Sequence, residues 1–486
     1  MERKTGILLH ISSLPNKYGI GSLGEEAYKF VDFLKGSKQR YWQVLPVGPT
    51  TFKDSPYQSF SAFAGNPYFI DLDFLVEEGL LNECDLIGLE IKDDYVNYEK
   101  IYNTRFDVLR KAFANFKIDD CYNLFIEKNS YWVNDYALFM TIKNLFNGDS
   151  WLNWPEEYIR REEDAINNVL INHKDEVNFW IFVQYLFDKQ WRALKYYANL
   201  NGITIIGDMP IYVAMDSADV WCDPKSWQID ENYKPIKVAG CPPDYFSPLG
   251  QLWGNPLYDY NYMKENGYSW WIKRTKKSFE LFDVLRIDHF RGFEAYYTIE
   301  YGRSDATVGS WEKGPNVDLF KKINEELGNV EIIAEDLGFL TEEVHIMLNN
   351  LGYPGMKIFQ FGFNKNDINA YSPRNIIKNC VLYPGTHDNP TLKGWYETLN
   401  EEDKEFVLDK LNSNKRQFVY SMIKKCLKSK ADTVIIPMQD YLELGDEARM
   451  NVPGVDEGNW VWKLKGDELT KTLSNRIAHL VKKYSR

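Results

Sequence analysis

The sequence predicts an α/β fold, a (β/α)8 barrel, on two observations. Eight short, nearly continuous apolar runs are spread along the 486 residues, and helical patterns fall between many of them. Runs of that kind are what buried parallel strands look like. Strand–helix alternation repeated eight times implies a barrel. A doubly wound sheet accommodates eight strands as well and stands as the structural alternative.

The first run is 6–10 (GILLH). The basic stretch before it gives a faint likeness to a signal peptide. His10, Ser12 and Ser13 interrupt the run, however, and no small-x-small cleavage site follows, so it reads as a strand. Ala27, Phe30, Val31 and Leu34 then recur at helical spacing, with Gly36 as the stop. The second run is 41–47 (YWQVLPV); the third, 204–209 (TIIGDM), is preceded by a long aromatic-rich helix over 179–200 that ends at Gly202. The others are 284–289 (VLRIDH), 332–336 (IIAED), 356–361 (MKIFQF), 381–387 (VLYPGTH) and 433–438 (TVIIPM). Asp318 can cap a helix stopping at Gly328, and Thr341 one stopping at Gly352.

The spacing is uneven. Residues of about 75–175 read as an inserted helical subdomain, with Trp132, Trp151 and Trp154. Residues of about 211–270, rich in Pro, Gly, Asp and aromatics, read as an active-site loop insertion, since long loops without helices of their own are usually lids or binding loops. Both insertions leave the C-terminal ends of strands, the face where barrel sites lie. The expected organisation is a single catalytic barrel over 1–486 carrying these two insertions.

Composition narrows the function. With 57 Lys+Arg against 70 Asp+Glu the net charge is −13, and 44% of residues are hydrophobic. The acidic balance argues against nucleic acid or an anionic membrane as partner. No apolar run approaches the ~18 residues needed to span a bilayer. Six scattered cysteines without a CxxC read as thiols in a reducing compartment, the cytoplasm.

Gly19-Ile20-Gly21-Ser22-Leu23-Gly24 matches GxGxxG. Its first glycine lies nine residues beyond the strand, and no acidic residue ends the second strand to hold a ribose, so it reads as a loop at the barrel mouth rather than a dinucleotide site. P-loop, GxSxG, HExxH, zinc-type and EF-hand patterns are missing from the sequence. What remains is carboxylates at strand ends. Arg286 and Asp288, two apart, share a face, and the guanidinium keeps the carboxylate ionised. Glu335 and Asp336 are adjacent and point opposite ways, so one of them faces the mouth. Asp208 closes the third strand, and His387-Asp388-Asn389 the seventh. Any one of these is more simply a cap; four converging on one face point to chemistry. Several carboxylates, no metal ligands and abundant aromatics fit glycosidic bond chemistry. Most of the Phe and Tyr must fill the core. Tyr57, Trp253 and Trp460 stand instead in polar loops, where exposed aromatics bind ligands.

With these motifs assembled, the chain resembles the amylomaltases, the 4-α-glucanotransferases or disproportionating enzymes of the α-amylase-like clan, over nearly its whole length. The likeness rests on residues 6–15 (GILLHISSLP), 54–58 (DSPYQ), 207–213 (GDMPIYV), 242–246 (PPDYF), 286–292 (RIDHFRG), 334–338 (AEDLG) and 385–389 (GTHDN). It implies a barrel with inserted subdomains and a retaining mechanism without cofactor or metal. It further implies Asp288 as nucleophile, Glu335 as acid/base and Asp388 as a third carboxylate that holds sugar hydroxyls and distorts the ring. Tyr57, Asp208, Trp253, Arg286, His387 and Asn459 match substrate contacts. The implied partners are an α-1,4-glucan donor and a glucan or glucose acceptor. An α-glucan hydrolase of similar build is the alternative, differing in how well its loops exclude water. A non-catalytic glucan-binding protein would have lost a carboxylate, and none is missing.

Overall fold

The computed structural model describes residues 3–51, 54–243, 247–338, 340–365 and 369–486. All eight apolar runs are strands of one closed barrel: β1 Lys4–Leu8, β2 Tyr41–Gln43, β3 Thr204–Met209, β4 Val284–Ile287, β5 Ile332–Ala334, β6 Gly355–Ile358, β7 Cys380–Tyr383 and β8 Thr433–Pro437. Each pairs in parallel with its neighbours in chain order, and β8 closes on β1 through Lys4↔Thr433 to Leu8↔Pro437. The barrel, not the doubly wound sheet, is the fold.

Barrel strands are buried on both faces, which is why they read as near-continuous apolar runs. The inward set, including Leu8, Ile206, Val284, Ile333, Met356, Tyr383 and Ile435, fills the lumen. At the mouth it is capped by Leu45, Met450 and Trp460, with Tyr57 packed against them. The outward set joins the helices in one larger core. The helix Glu25–Gly36 presents Ala27, Phe30, Val31 and Leu34 inward, as its spacing requires. Gly36 is its last helical residue rather than a stop; the chain leaves at Ser37. Val317–Leu327 is capped by Asn316, whose Oδ1 accepts the Val317 N–H at 2.8 Å. Asp318, expected as the cap, sits in the first turn, where its charge suits the helix dipole. The helix Glu342–Leu351 starts after Thr341, and Gly352 ends it in the left-handed region.

Between β2 and β3 run the helices Leu72–Glu77, Tyr98–Asn115, Asp120–Asn129, Val133–Leu145 and Glu163–Asn172, followed by Lys174–Leu200, whose buried stripe packs on Val133–Leu145. The 211–270 stretch is more than a loop. It carries the helix Ala218–Cys222 and the strands Lys237–Cys241 and Gln251–Pro256. These join Ala295–Glu300 and Ser310–Lys313, from beyond β4, in a four-stranded antiparallel sheet. In Lys237–Cys241 and Gln251–Pro256 the interior Gly240 and Gly254 break the pattern that would have announced a strand. In the GxGxxG loop, Gly21 and Gly24 leave no room for a Cβ against the Ile11 carbonyl and the Asp71 carboxylate. The glycines serve close packing. Of the motif at 242–246, Asp244, Tyr245 and Phe246 lie outside the described residues.

Candidate active site

The site is organised around one guanidinium. Parallel register sets Arg286 of β4 directly beside Asp208 of β3. Arg286 Nη1 reaches both Asp208 oxygens at 2.7 and 2.6 Å, and Nη2 reaches Asp288 Oδ1 at 2.9 Å. Arg286 and Asp288 thus share a face, as their two-residue spacing requires. Asp208 is fully buried: burial pushes its carboxyl up, and the guanidinium opposes that. Asp288 stands one residue beyond β4 with its side chain 30% exposed, and no described residue bonds its Oδ2.

Glu335 stands one residue beyond β5 and is buried. Its Oε2 accepts the His289 N–H at 2.7 Å and its Oε1 the Leu337 N–H at 2.8 Å. Burial first, then the nearby Asp288 carboxylate, pushes its pKa from 4.5 up to about 8. Asp336 faces the other way, accepting the Met356 N–H at 2.6 Å and an ion pair from Lys357 at 3.4 Å. Of the two adjacent carboxylates, Glu335 is the one turned to the mouth.

Asp388 does not close β7, which ends at Tyr383; it lies five residues further, in the following loop. Asn451 Nδ2 donates to its Oδ1 at 2.6 Å, Arg449 Nη2 donates to its carbonyl at 2.5 Å, and His387 Nε2 lies 3.3 Å from its Oδ2. Sequence reasoning missed Asn451 and Arg449. Neither sits at a strand end or in a motif, and no spacing rule links residues some sixty apart in the chain.

Tyr57 bridges the two halves of the site. Its hydroxyl donates to Asp208 Oδ2 at 3.0 Å and lies 2.9 Å from His387 Nε2, while its ring stacks on His387 at 5.3 Å. Trp460, expected to be an exposed loop aromatic, is buried; a positive φ of 65° turns it inward against Tyr57 and His387. Trp253, on the antiparallel sheet, is half-buried and stands edge-on to His289 at 4.9 Å. Both ends of the Asn459 amide are engaged locally: Oδ1 accepts the Val452 N–H at 2.9 Å and Nδ2 donates to the Val455 carbonyl at 2.7 Å.

The mouth therefore holds the Arg286 guanidinium between Asp208 and Asp288, with Asp388 across Tyr57 and His387 and a fourth carboxyl, Glu335, kept protonated near neutrality. That arrangement favours positive charge developing on a bound molecule. A sequence profile described as 4-alpha-glucanotransferase matches residues 9–470. A 4-alpha-glucanotransferase of Clostridium butyricum is 48% identical over 485 residues, covering 98% of this chain and 100% of the relative. One from Thermus thermophilus is 44% identical, covering 98% of each chain. The solved structure of the amylomaltase from Streptococcus agalactiae in complex with acarbose superposes with a TM-score of 0.97 at 39% identity, covering 100% of both chains. A profile match over nearly the whole chain, close relatives matched from end to end, and a barrel with acidic strand ends agree with one another: the chain belongs to the 4-α-glucanotransferase family.

Proposed function

We propose that this chain transfers segments of α-1,4-glucan between glucan chains by a double displacement that retains anomeric configuration. The observation that carries the reading is the pair Asp288 and Glu335. One carboxylate is hydrogen-bonded to a guanidinium. The other is buried beside it with its pKa pushed up to about 8. A carboxylate held by a guanidinium, next to a buried carboxyl that keeps its proton, supplies a nucleophile and a general acid.

Asp288 Oδ2 attacks the anomeric carbon of the donor while Glu335 gives its proton to the departing glycosidic oxygen. The donor's non-reducing part is then held as a glycosyl ester on Asp288. Glu335, now ionised and accepting the His289 and Leu337 N–H groups, takes the proton from an acceptor hydroxyl, which opens the ester. Asp388 and His387 hold hydroxyls of the sugar being transferred, Arg286 orients Asp288, and Tyr57 and Trp253 pack on sugar faces. Asp208 acts through Arg286 and Tyr57, both of which it binds. Asn459 acts by closing the loop 452–459. The insertions over about 75–175 and 211–270 wall the cleft of a single catalytic unit. Six cysteines without a disulfide suit the cytoplasm.

Incubation with maltotriose followed by chromatography tests this. Glucose plus longer oligomers is the expected result. Net shortening identifies the hydrolase reading, and an unchanged mixture overturns catalysis.

A further inference from the structure

Behind the mouth, among the ends of β1, β7 and β8, lies a cavity of about 20 Å3, lined by His10 and His387 with Asp440 and Arg449 nearby. That is room for one water. His387 turns Nε2 toward the mouth, where it meets the Tyr57 hydroxyl and Asp388 Oδ2. The Tyr57 hydroxyl spends its hydrogen on Asp208, so it presents an acceptor to His387. Two acceptors face Nε2, so the contacts at the mouth are met only when Nε2 carries the hydrogen. Among the described residues Nε2 alone of this ring takes part in a hydrogen bond, and nothing bonds Nδ1.

His10 has the complementary arrangement. Its Nδ1 accepts the Leu45 N–H at 3.2 Å, so its proton is on Nε2, which no described residue takes. Its ring is buried edge-on to Phe69. Burial, and then His387, push its pKa down to about 3, so the ring stays neutral.

We propose that one buried water joins the two rings, accepting from His10 Nε2–H and donating to His387 Nδ1, and that His10 is thereby a positioning residue. It holds His387 in the tautomer that donates toward Asp388. In the other tautomer a lone pair on Nε2 would face two oxygens, and Asp388 would lose the donor at its Oδ2. The proposal rests on the assignment of His387 and Asp388 to the sugar site, but its first readout does not.

That readout is the histidine 15N spectrum of the full chain, labelled at its six histidines. In the parent protein His10 and His387 should both show protonated Nε2 and bare Nδ1. His10→Phe keeps a ring against Phe69 but has no donor. His10→Asn keeps only a group near Nδ1, and His10→Gln places an amide near Nε2. The parent pattern of His387 should survive in the Gln variant and be lost in the Phe and Asn variants. Maltotriose transfer should fall about tenfold in kcat for Phe and Asn, stay within about twofold for Gln, and leave KM within about twofold throughout. If the Phe variant does not fold, the Gln–Asn pair decides. A protonated Nδ1 on His387 in the parent overturns the proposal, as does an unchanged His387 pattern in the Asn variant. Equal losses of activity and melting temperature in Gln and Asn would assign His10 to packing alone. A tautomer that follows the substitutions while transfer does not would keep the water link and overturn its role in positioning Asp388.

Discussion

Glu335 accepts the backbone N–H of His289, the residue that follows Asp288 in the chain. The proposed acid is thus anchored to the strand end that carries the proposed nucleophile. His289 itself lies in the left-handed region, with φ of 47°, so the chain turns sharply just after the anchoring N–H. Any shift of the β4 end moves both reactive groups together, so their separation is protected from small movements of the barrel.

Substitution at either reactive carboxyl should nearly abolish transfer, by about 10^4-fold or more, for different reasons. Asp288→Asn cannot form the ester from any donor. Glu335→Gln lacks a proton for a sugar leaving group but needs none for a glucosyl fluoride, so it should form the ester and accumulate it. Mass spectrometry should find the added sugar on a peptide containing Asp288. Sugar on a peptide carrying Asp388 or Asp208 instead would reassign the nucleophile.

The pKa of Glu335 makes a claim about pH. The group is protonated, and competent as an acid, below about 8, so kcat/KM with oligosaccharide donors should decline as pH rises through that value. With glucosyl fluoride, ester formation should lose this alkaline limb. A limb that persists unchanged would belong to another group.

The same group makes a claim about stability. Folded Glu335 keeps its proton up to about 8, whereas the unfolded chain releases it near 4.5. Between these values the folded state binds more protons, so this residue's contribution to stability falls as pH rises. Gln in its place removes that decline. Whatever Glu335→Gln costs by losing one backbone acceptor, its Tm relative to the parent should improve by about 1–3 °C from pH 5 to pH 8.

Much of this was legible beforehand, for physical reasons. All eight barrel strands could be read because burial on both faces leaves a plain apolar run. The sheet containing Trp253 could not, since its strands from the 211–270 stretch, KVAGC and QLWGNP, mix glycine and polar residues into what would otherwise be an apolar run. Arg286 and Asp288 could be paired by strand alternation alone. That Asp208 bonds the same guanidinium follows from inter-strand register, which apolar runs leave unspecified. Trp460 was misjudged because one left-handed residue, invisible in composition, tucks a loop aromatic under the mouth.

Asn451 offers a test of a contact that the sequence concealed. Its amide donates to Asp388 at 2.6 Å. Asn451→Ala should lower kcat/KM about tenfold with little change in Tm, because a charge-assisted bond to a half-exposed group is lost. Asn451→Asp should cost more, since a like charge would face Asp388. Parent-level activity in Asn451→Ala would show that Asp388 does not depend on this donor.

Trp253 separates binding from packing. Trp253→Ala should reduce kcat/KM for glucans at least about tenfold while shifting Tm by no more than about 3 °C, as its ring is half-exposed. A large loss of Tm matched by the loss of activity would make the ring a structural one.

The antiparallel sheet draws its strands from both sides of β4: two arrive before the barrel strand and two leave after it. Lys237–Cys241 is hydrogen-bonded along Ala295–Glu300, from Lys237↔Glu300 to Gly240↔Tyr297. The sheet is therefore a clasp around the segment that bears Arg286 and Asp288. A chain cut in the exposed turn near Arg303 would leave both new ends held by cross-strand bonds, so a nicked molecule should stay assembled. Shortening either half of the clasp would strip the other of its pairing partner, which makes two stretches that look independent along the chain a single structural part.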